Sequence, residues 1–272
     1  MEMVKFGKLN KKKLKEADDL CEKSYKIGNP GKVKSMLKKA LSISEYCSQA
    51  YTALSIIEAN SKKEWLEYQY LAMLAEEKVL GEEFFAENKG YFWGIFETRV
   101  YMYLKNIVTE NLWELGYRKE AVKHALEMIE LCPNDNLGIR YRLWGWLIRM
   151  DDKRNFNKLI KKYQDDGYCG FYFDQSLFHF KYNNLDKAEE FLKLGIKENE
   201  FVVEILLDIR PIGEIDGIEE FDDTMIFGEE SEAVNYIVNN RESWEEVSGS
   251  LAWLWKEYEK NGGKERFLIF ES

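Results

Sequence analysis

The spacing of a glycine, an alanine and a proline constrains the fold of this chain more than any other feature. One amphipathic stretch contains all three, at Gly116, Ala121 and Pro133. Glycine readily ends a helix in the left-handed conformation, alanine lets two helices cross closely, and proline cannot continue the helix before it. Apolar residues recur every three or four positions on both sides of the glycine. The pattern predicts two antiparallel helices joined by a turn at Gly116.

The same unit recurs further along the chain. Ala188 lies 67 residues after Ala121, close to two periods of about 34 residues. Asn183 stands where Gly116 stood, and asparagine is the next most tolerant residue at a left-handed turn. Between them, a segment that turns at 151–152 supplies a middle hairpin without a marker alanine. This period is typical of tetratricopeptide repeats.

The expected fold is therefore all-α, with tetratricopeptide-like antiparallel helical hairpins stacked into a curved right-handed solenoid. Three prolines in 272 residues also favour long, uninterrupted helices. We expect one continuous solenoid with four consecutive parts. These are amino-terminal hairpins at 1–80, an aromatic connecting segment at 81–97, three central repeats at 98–198, and an irregular connection with capping helices at 199–272.

Local signals predict where individual helices begin. Three hydroxyl side chains are expected to cap the helices that follow them, at Ser44, Ser61 and Thr98. After Pro133, Asn134 or Asp135 is expected to cap a helix that starts near Asn136. The carboxy-terminal helices are expected at 201–208, 229–240 and 244–258. The aromatic segment before Thr98 is expected to be core rather than a ligand site.

The charge of the chain is uneven. Its net charge of -10 disfavours binding of nucleic acid by the bulk of the surface. The first 39 residues nevertheless hold twelve lysines against five acids, a difference that we interpret as solvated helix surface. The apolar runs are too short to span a membrane, and no apolar region follows the charged start. We therefore expect a soluble cytoplasmic protein, with Cys21, Cys47, Cys132 and Cys169 as free thiols.

The residues that could carry catalysis form no recognisable constellation. There is no phosphate loop and no dinucleotide fingerprint. His124 is expected on a solvent-facing helix and His179 in the core, and neither has a nucleophile at a catalytic spacing. The polar run 134–136 is expected to be a turn rather than a metal site. We predict a non-enzymatic protein without cofactor or metal.

A groove for a partner is the expected site of function, because the first helix of each hairpin lines the concave side of such a stack. The candidate residues are Arg99, Tyr103, Asn106, Arg140, Trp144, Phe173 and Leu177. An arginine beside aromatic rings can hold a peptide carboxylate or an acidic side chain. The alternative is that Trp144 packs between repeats and that Arg140 satisfies a helix end or pairs with Glu97 or Asp135.

Two segments of the sequence also resemble those of a known family. They are GYFWGIFETRVYMY and, after it, LWELGYRKEAVKHALEMIELCPNDNLGIRYRL. They resemble the motif of bacterial tetratricopeptide-repeat proteins related to the suppression-of-tumorigenicity family, in which Val100 replaces a proline, Tyr103 an arginine and Cys132 an asparagine. The resemblance extends over most of the chain. It implies a soluble helical-repeat protein with an interaction role.

The leading prediction is a protein- or peptide-binding scaffold whose partner the sequence does not identify. One alternative is a metal-dependent enzyme, a hydrolase or transferase, with a divalent cation in the acidic loop 208–223. Its ligands would come from Asp216, Glu219, Glu220, Asp222 and Asp223. The other alternative is a regulator linked to nucleic acid through the lysine-rich start. The tail at 267–270 is expected either to pack back or to pair with another chain.

Overall fold

The computed structural model describes residues 6–210 and 225–261, and within these ranges the regular structure is entirely helical. Two short 3-10 helices, Phe92–Gly94 and Phe96–Thr98, precede the sixth α-helix. The predicted all-α class is confirmed for this part of the chain. The α-helices are α1 Lys11–Ser24, α2 Pro30–Ile43, α3 Ser48–Glu58, α4 Lys62–Leu80, α5 Glu82–Asn88, α6 Arg99–Glu114, α7 Arg118–Leu131, α8 Arg140–Arg149, α9 Lys153–Lys162, α10 Gly170–Lys181, α11 Leu185–Glu198, α12 Phe201–Leu206, α13 Glu230–Glu246 and α14 Ser250–Lys260.

The chain divides into two compact units, Met1–Ile139 and Arg140–Ser272. We call them unit 1 and unit 2 and describe each by itself. The division falls inside the segment 98–198, in which the sequence predicts three consecutive repeats.

Unit 1 contains three pairs of antiparallel neighbours: α1 with α2, α3 with α4, and α6 with α7. Helix α4 also packs on α6. At the amino-terminal end, small and aliphatic side chains form a closed core, made of Ala17, Cys21, Leu37, Ala40, Cys47, Ala50 and Leu54. Small residues at these positions let the helices approach closely, since a protein interior leaves little empty space.

The turn between α6 and α7 has the predicted geometry. Gly116 has φ of 84°, in the left-handed region. Its N–H donates to Trp113 O, and Tyr117 N–H donates to Leu112 O at 2.8 Å, which satisfies carbonyls at the helix end. Ala121 is fully buried, and α7 ends at Leu131, two residues before the proline. This hairpin is confirmed.

Unit 2 pairs α8 with α9 and α10 with α11, and α13 packs on both α12 and α8. The two predicted turns are present, because Asp151 and Asn183 have φ of 56° and 58°. Gly145 of α8 faces α13 at very close range. A Cβ there would lie 2.4 Å from Asn240 Oδ1 and 2.6 Å from Ser243 Oγ, so glycine sets the distance between these helices.

A buried carboxylate joins four elements of unit 2. The side chain of Glu232 on α13 is 1% exposed. It accepts hydrogen bonds from Cys169 N–H at 2.8 Å, Asn199 Nδ2 at 2.9 Å and Gly228 N–H at 2.8 Å. These donors belong to the start of α10, the end of α11 and the turn before α13. Glu232 therefore holds these chain ends together.

A second buried carboxyl group lies between α10 and α13. Trp244 Nε1 donates to Tyr236 Oη at 2.8 Å, and Tyr236 Oη donates to Asp174 Oδ1 at 3.0 Å. All three side chains are fully buried. The other carboxyl oxygen, Asp174 Oδ2, has no hydrogen-bond partner among the described residues. Burial raises the pKa of Asp174 well above its usual value.

Several predicted helix ends need correction. Ser61 caps α4 as expected, accepting from Glu64 N–H at 3.1 Å, but Ser44 ends α2 and accepts from Tyr46 N–H instead of capping α3. Thr98 precedes α6, yet its hydroxyl donates to the carbonyls of Phe92 and Ile95.

The two remaining corrections concern helix starts and lengths further along the chain. The helix predicted near Asn136 begins at Arg140, because Asp135 and Gly138 both have positive φ and form a turn. The expected helices 229–240 and 244–258 are α13 and α14, which break at Gly249 in the left-handed region rather than near 241.

Candidate functional site

The groove candidates of unit 2 are not available for binding. Trp144, Phe173 and Leu177 are all 0% exposed. The Trp144 ring packs edge-on against Tyr141 and Phe171, with centroids 6.1 and 5.8 Å away. These apolar side chains stabilise the core of the unit, so their prediction as groove residues is corrected.

Arg140 is also engaged within unit 2. Its Nε donates to Asp166 Oδ2 at 2.6 Å, and the Asp166 side chain is only 5% exposed. Its guanidinium lies 4.1 Å from the ring centroid of Tyr141 and 5.1 Å from that of Tyr163. The other oxygen of Asp166 accepts from Tyr168 N–H. Arg140 thus orders the chain before α10, and it forms an ion pair with Asp166, a carboxylate that the sequence did not indicate.

The groove candidates of unit 1 lie on or near the surface. Arg99, Tyr103 and Asn106 follow one another along α6 at helical spacing. Tyr103 is exposed, whereas Arg99 and Asn106 are half-buried. Asn106 Nδ2 donates to Glu110 Oε1 at 2.6 Å, while its Oδ1 is buried without a partner among the described residues. The exposed end of this row therefore lies at Arg99 and Tyr103.

Around Arg99, several exposed or half-buried side chains, most of them aromatic, lie in the segment 91–103. We call this group the Arg99 surface, and it consists of Tyr91, Trp93, Phe96, Arg99, Val100 and Tyr103. Phe96 is 77% exposed, Tyr91 67% and Tyr103 51%. The Trp93 and Tyr103 rings meet edge-to-face with centroids 5.5 Å apart. Such a concentration of exposed aromatic side chains is typical of an interaction surface.

The arginine in this surface is held by rings rather than by an acid. Its Cζ lies 5.3 Å from the Trp93 centroid and 5.9 Å from the Phe96 centroid. Its Nε donates to Trp93 O at 3.2 Å. Among the described residues it forms no ion pair, so its positive charge has no compensating carboxylate there. Aromatic faces stabilise a cation but do not neutralise it.

Two glycines shape the segment before α6. Gly90 has φ of 94°, a conformation that residues with a Cβ rarely adopt. At Gly94 a Cβ would lie 2.4 Å from the Tyr91 ring, so only glycine lets this ring fold over the backbone. Phe92 points inward and is fully buried. The predicted core role therefore holds for Phe92, but Tyr91 and Phe96 are on the surface.

Between α6 and α7 the structure contains a polar cluster that the sequence analysis did not predict. The ammonium of Lys105, 2% exposed, donates to Glu127 Oε2 at 2.8 Å and lies 3.0 Å from His124 Nδ1. Burial lowers the pKa of His124 to about 4, and the charge of Lys105 adds to this effect. The imidazole is neutral near pH 7 and accepts at Nδ1. His124 is thus half-buried and paired, contrary to its expected solvent exposure.

A signal for this cluster exists in the sequence. Lys105 interrupts an otherwise apolar row on α6, between Tyr101 and Val108, and a buried lysine needs partners. His124 and Glu127 are three residues apart and so share one face of α7. Only the pairing of α6 with α7 shows that the two faces meet.

The neutral state of His124 predicts a dependence of stability on pH. Because the pKa of His124 is lower in the folded chain than its usual 6.5, the unfolded chain binds the proton more tightly. This stabilisation is complete above pH 6.5 and is lost as pH falls towards 4. Between pH 7 and 4.5, wild type should lose on the order of 2 kcal/mol more unfolding free energy than His124→Gln. Urea titrations across this pH range measure the difference. The same pH dependence of the unfolding free energy in wild type and His124→Gln would contradict the prediction.

The described residues give little support to the two alternative sites, the metal site in the acidic loop and the nucleic-acid site in the lysine-rich start. The acidic loop lies outside the described residues apart from residues 208–210, of which Asp208 forms an ion pair with Arg241 at 2.5 Å. The tail at 267–270 lies outside them as well. Residues 6–210 and 225–261 contain no group of three or more His, Cys, Asp or Glu that could hold a metal ion. In the lysine-rich start, Lys34 and Lys38 both pair with Glu58, at 2.6 and 2.7 Å.

The described part of the chain thus defines a protein of helical hairpins with an aromatic, arginine-containing surface. Comparison with models of known protein families and with curated proteins gives no match. No helix in the described ranges is both long enough and apolar enough to cross a membrane. All four cysteines are buried free thiols.

Proposed function

We propose that this chain is a non-enzymatic, tetratricopeptide-type binding module that takes up a peptide segment of another protein through the Arg99 surface. The segment carries apolar side chains next to a carboxylate, which is either an acidic residue or a free carboxyl terminus. The observation on which this rests is the arginine that lies among exposed aromatic rings without an acidic partner.

The chemistry of the Arg99 surface matches what peptide-binding sites use. Aromatic residues and arginine dominate the energetically important positions of protein interfaces, where they fill well-packed, desolvated pockets. A guanidinium also binds a carboxylate through two parallel hydrogen bonds. Here Arg99 still has Nη donors to offer, and Phe96 and Tyr91 supply apolar area beside it.

The assignment to the tetratricopeptide type is supported by the hairpins and by the resemblance. The α6–α7 and α10–α11 hairpins both close with a left-handed residue, at Gly116 and Asn183. Each has a fully buried alanine in its second helix, at Ala121 and Ala188. The motif that resembles the suppression-of-tumorigenicity relatives covers the segment 90–103, which contains the Arg99 surface. A stacked, curved solenoid and membership of that group are parts of this proposal.

The remaining parts of the proposal concern location and excluded partners. Buried free thiols at Cys21, Cys47, Cys132 and Cys169 fit a reducing compartment, and we place the protein in the cytoplasm. Nucleic acid is not proposed as a partner, because the chain is acidic overall.

A peptide-display selection on the purified protein tests the proposal. The library contains peptides with free and with blocked carboxyl ends. We expect enriched peptides to combine an aromatic or large aliphatic residue with Asp, Glu or a free carboxylate. Arg99→Ala and Phe96→Ala should each raise the Kd of an enriched peptide about tenfold or more. The Kd of Arg99→Lys should lie between those of wild type and Arg99→Ala.

Two matched controls lie on the same unit. Ile56 on α3 is 78% exposed, and Arg118 also lies over an indole, 5.1 Å from the Trp113 centroid. Ile56→Ala and Arg118→Ala should change the Kd by no more than about twofold. Equal Kd values for wild type, Arg99→Ala and Phe96→Ala would refute the proposed site.

A further inference from the structure

Unit 1 contains a second candidate binding site, a cavity of about 670 Å³ between α4, α5, α6 and α7. Its volume is in the range of pockets that hold small organic molecules. The lining side chains that matter here are Glu77, Glu82, Phe85, Tyr101, Glu127 and Glu130. None of them belongs to the Arg99 surface.

Aromatic rings form part of the wall of this cavity. Phe85 of α5 and Tyr101 of α6 meet edge-to-face, with centroids 5.1 Å apart at an interplanar angle of 89°. Tyr101 is 2% exposed and lines the cavity. Its hydroxyl has no hydrogen-bond partner among the described residues. Because Tyr101 lines the cavity, this hydroxyl can form a hydrogen bond with a group that enters it.

The charge of the lining favours a cation. Four carboxylates line the cavity against two ammonium groups, those of Lys78 and Lys89. Lys89 is already paired with Glu130 at 2.7 Å, and Lys105 beneath the wall pairs with Glu127. Glu77 and Glu82 form no ion pair among the described residues. Lys78 offsets one of these two carboxylates, so one excess negative charge remains in the cavity.

The positions of these carboxylates relative to Tyr101 support one shared site. Burial raises the pKa of Tyr101, and the negative charges of Glu77 and Glu127 add to this effect. Glu77 on α4 and Glu127 on α7 line the same cavity as Tyr101. They are too dispersed for a bare metal ion, since no group of three potential ligands is close enough among the described residues.

We propose that this cavity binds an organic ammonium ion. The ammonium donates to Glu77 and to the Tyr101 hydroxyl oxygen, and the alkyl part of the ligand lies against Phe85. Carboxylates and aromatic faces both stabilise such a cation, whereas an anion would be repelled by Glu77 and Glu82. This site does not depend on the peptide-binding function proposed above.

Calorimetric titration with 1,6-diaminohexane tests this site. We expect binding of the diamine and at least about tenfold weaker binding of hexane-1,6-diol, which has the same chain length without charge. Glu77→Gln should weaken diamine binding about tenfold and Tyr101→Phe about threefold. Glu83→Gln, one position from Glu82 but outside the cavity, should leave it unchanged.

A capped Ala-Lys-Ala peptide, compared with its norleucine analogue, distinguishes the two sources of the ammonium group. Binding of the lysine peptide would indicate a side chain of a partner protein, and binding of the diamine alone a small molecule. Each variant is first compared with wild type by helical circular dichroism and thermal unfolding. Equal binding of diamine and diol, or a folded Glu77→Gln variant with wild-type affinity, would overturn the proposal. Arg99→Ala should still bind the diamine, which separates this test from that of the Arg99 surface.

Discussion

Replacing Glu232 by alanine is expected to lower the free energy of unfolding by about 3–5 kcal/mol, the largest effect among the changes considered. The carboxylate accepts from Cys169 N–H, Asn199 Nδ2 and Gly228 N–H. Its removal takes an acceptor from three donors, of which Asn199 Nδ2 keeps a bond to Glu229 O, and the first two belong to buried residues. Glu232→Gln keeps one acceptor oxygen but places an NH2 group, which is a donor, against other donors. It should lower the free energy of unfolding by about half as much as alanine does. Urea unfolding followed by circular dichroism measures both.

Glu242 on the same helix provides the control for this prediction. It pairs with Arg149 at 2.8 Å, but its side chain is 71% exposed. Solvent screens such a pair, so Glu242→Ala should change stability by no more than about 1 kcal/mol. Similar losses for Glu232→Ala and Glu242→Ala would mean that the buried hydrogen bonds do not hold the ends of α10, α11 and α13 together.

Replacing Asp174 by asparagine is expected to stabilise the protein at neutral pH. The pKa of this fully buried carboxyl group is raised well above 3.8, mainly by burial. The unfolded chain therefore releases the proton more easily, and the stability associated with Asp174 is complete below pH 3.8 and decreases as pH rises. Asparagine accepts the same hydrogen bond from Tyr236 and cannot ionise. Urea titrations at pH 7 and pH 4 should show the gain at pH 7 only.

Asp151 serves as a control with the opposite sign. Its pKa is lowered, chiefly by its hydrogen bond with Lys181, and the two groups are 2.7 Å apart. Asparagine tolerates the positive φ at this position. Asp151→Asn should therefore lose a small amount of stability at pH 7, within about 1 kcal/mol. A loss of stability in Asp174→Asn at pH 7 would show that the buried carboxyl group is ionised.

Local physics explains why the helical hairpins could be predicted. A glycine or asparagine that ends a helix acts on its own few neighbours, so the left-handed turns at Gly116 and Asn183 are visible in the sequence. The cap at Ser61 is also local, because its hydroxyl accepts from the N–H of Glu64, three residues later. The helix predicted to start near Asn136 starts at Arg140, because Asp135 and Gly138 both have positive φ and extend the turn. Gly138 is a local sign of this longer turn, whereas the positive φ of Asp135 has none as strong.

The candidate site depends on burial, which spacing does not determine. Periodicity placed Tyr103 and Trp144 on equivalent faces of two helices, and Tyr103 is 51% exposed. In the structure the Trp144 side chain is in the core, whereas Arg99 lies beside exposed rings. Arg140 pairs with Asp166, 26 residues away, and Lys105 meets His124 and Glu127 only because α6 packs on α7. Such long-range pairs require the folded chain.

The central claim is that the Arg99 surface binds a peptide, and hydrogen–deuterium exchange with a saturating selected peptide tests it most directly. We predict slower exchange in 90–106, which includes both 3-10 helices and the start of α6. Helix α9 in unit 2 should exchange as in the free protein, and Arg99→Ala should show no protection at the same peptide concentration. Protection confined to other segments, with 90–106 unchanged, would contradict the claim.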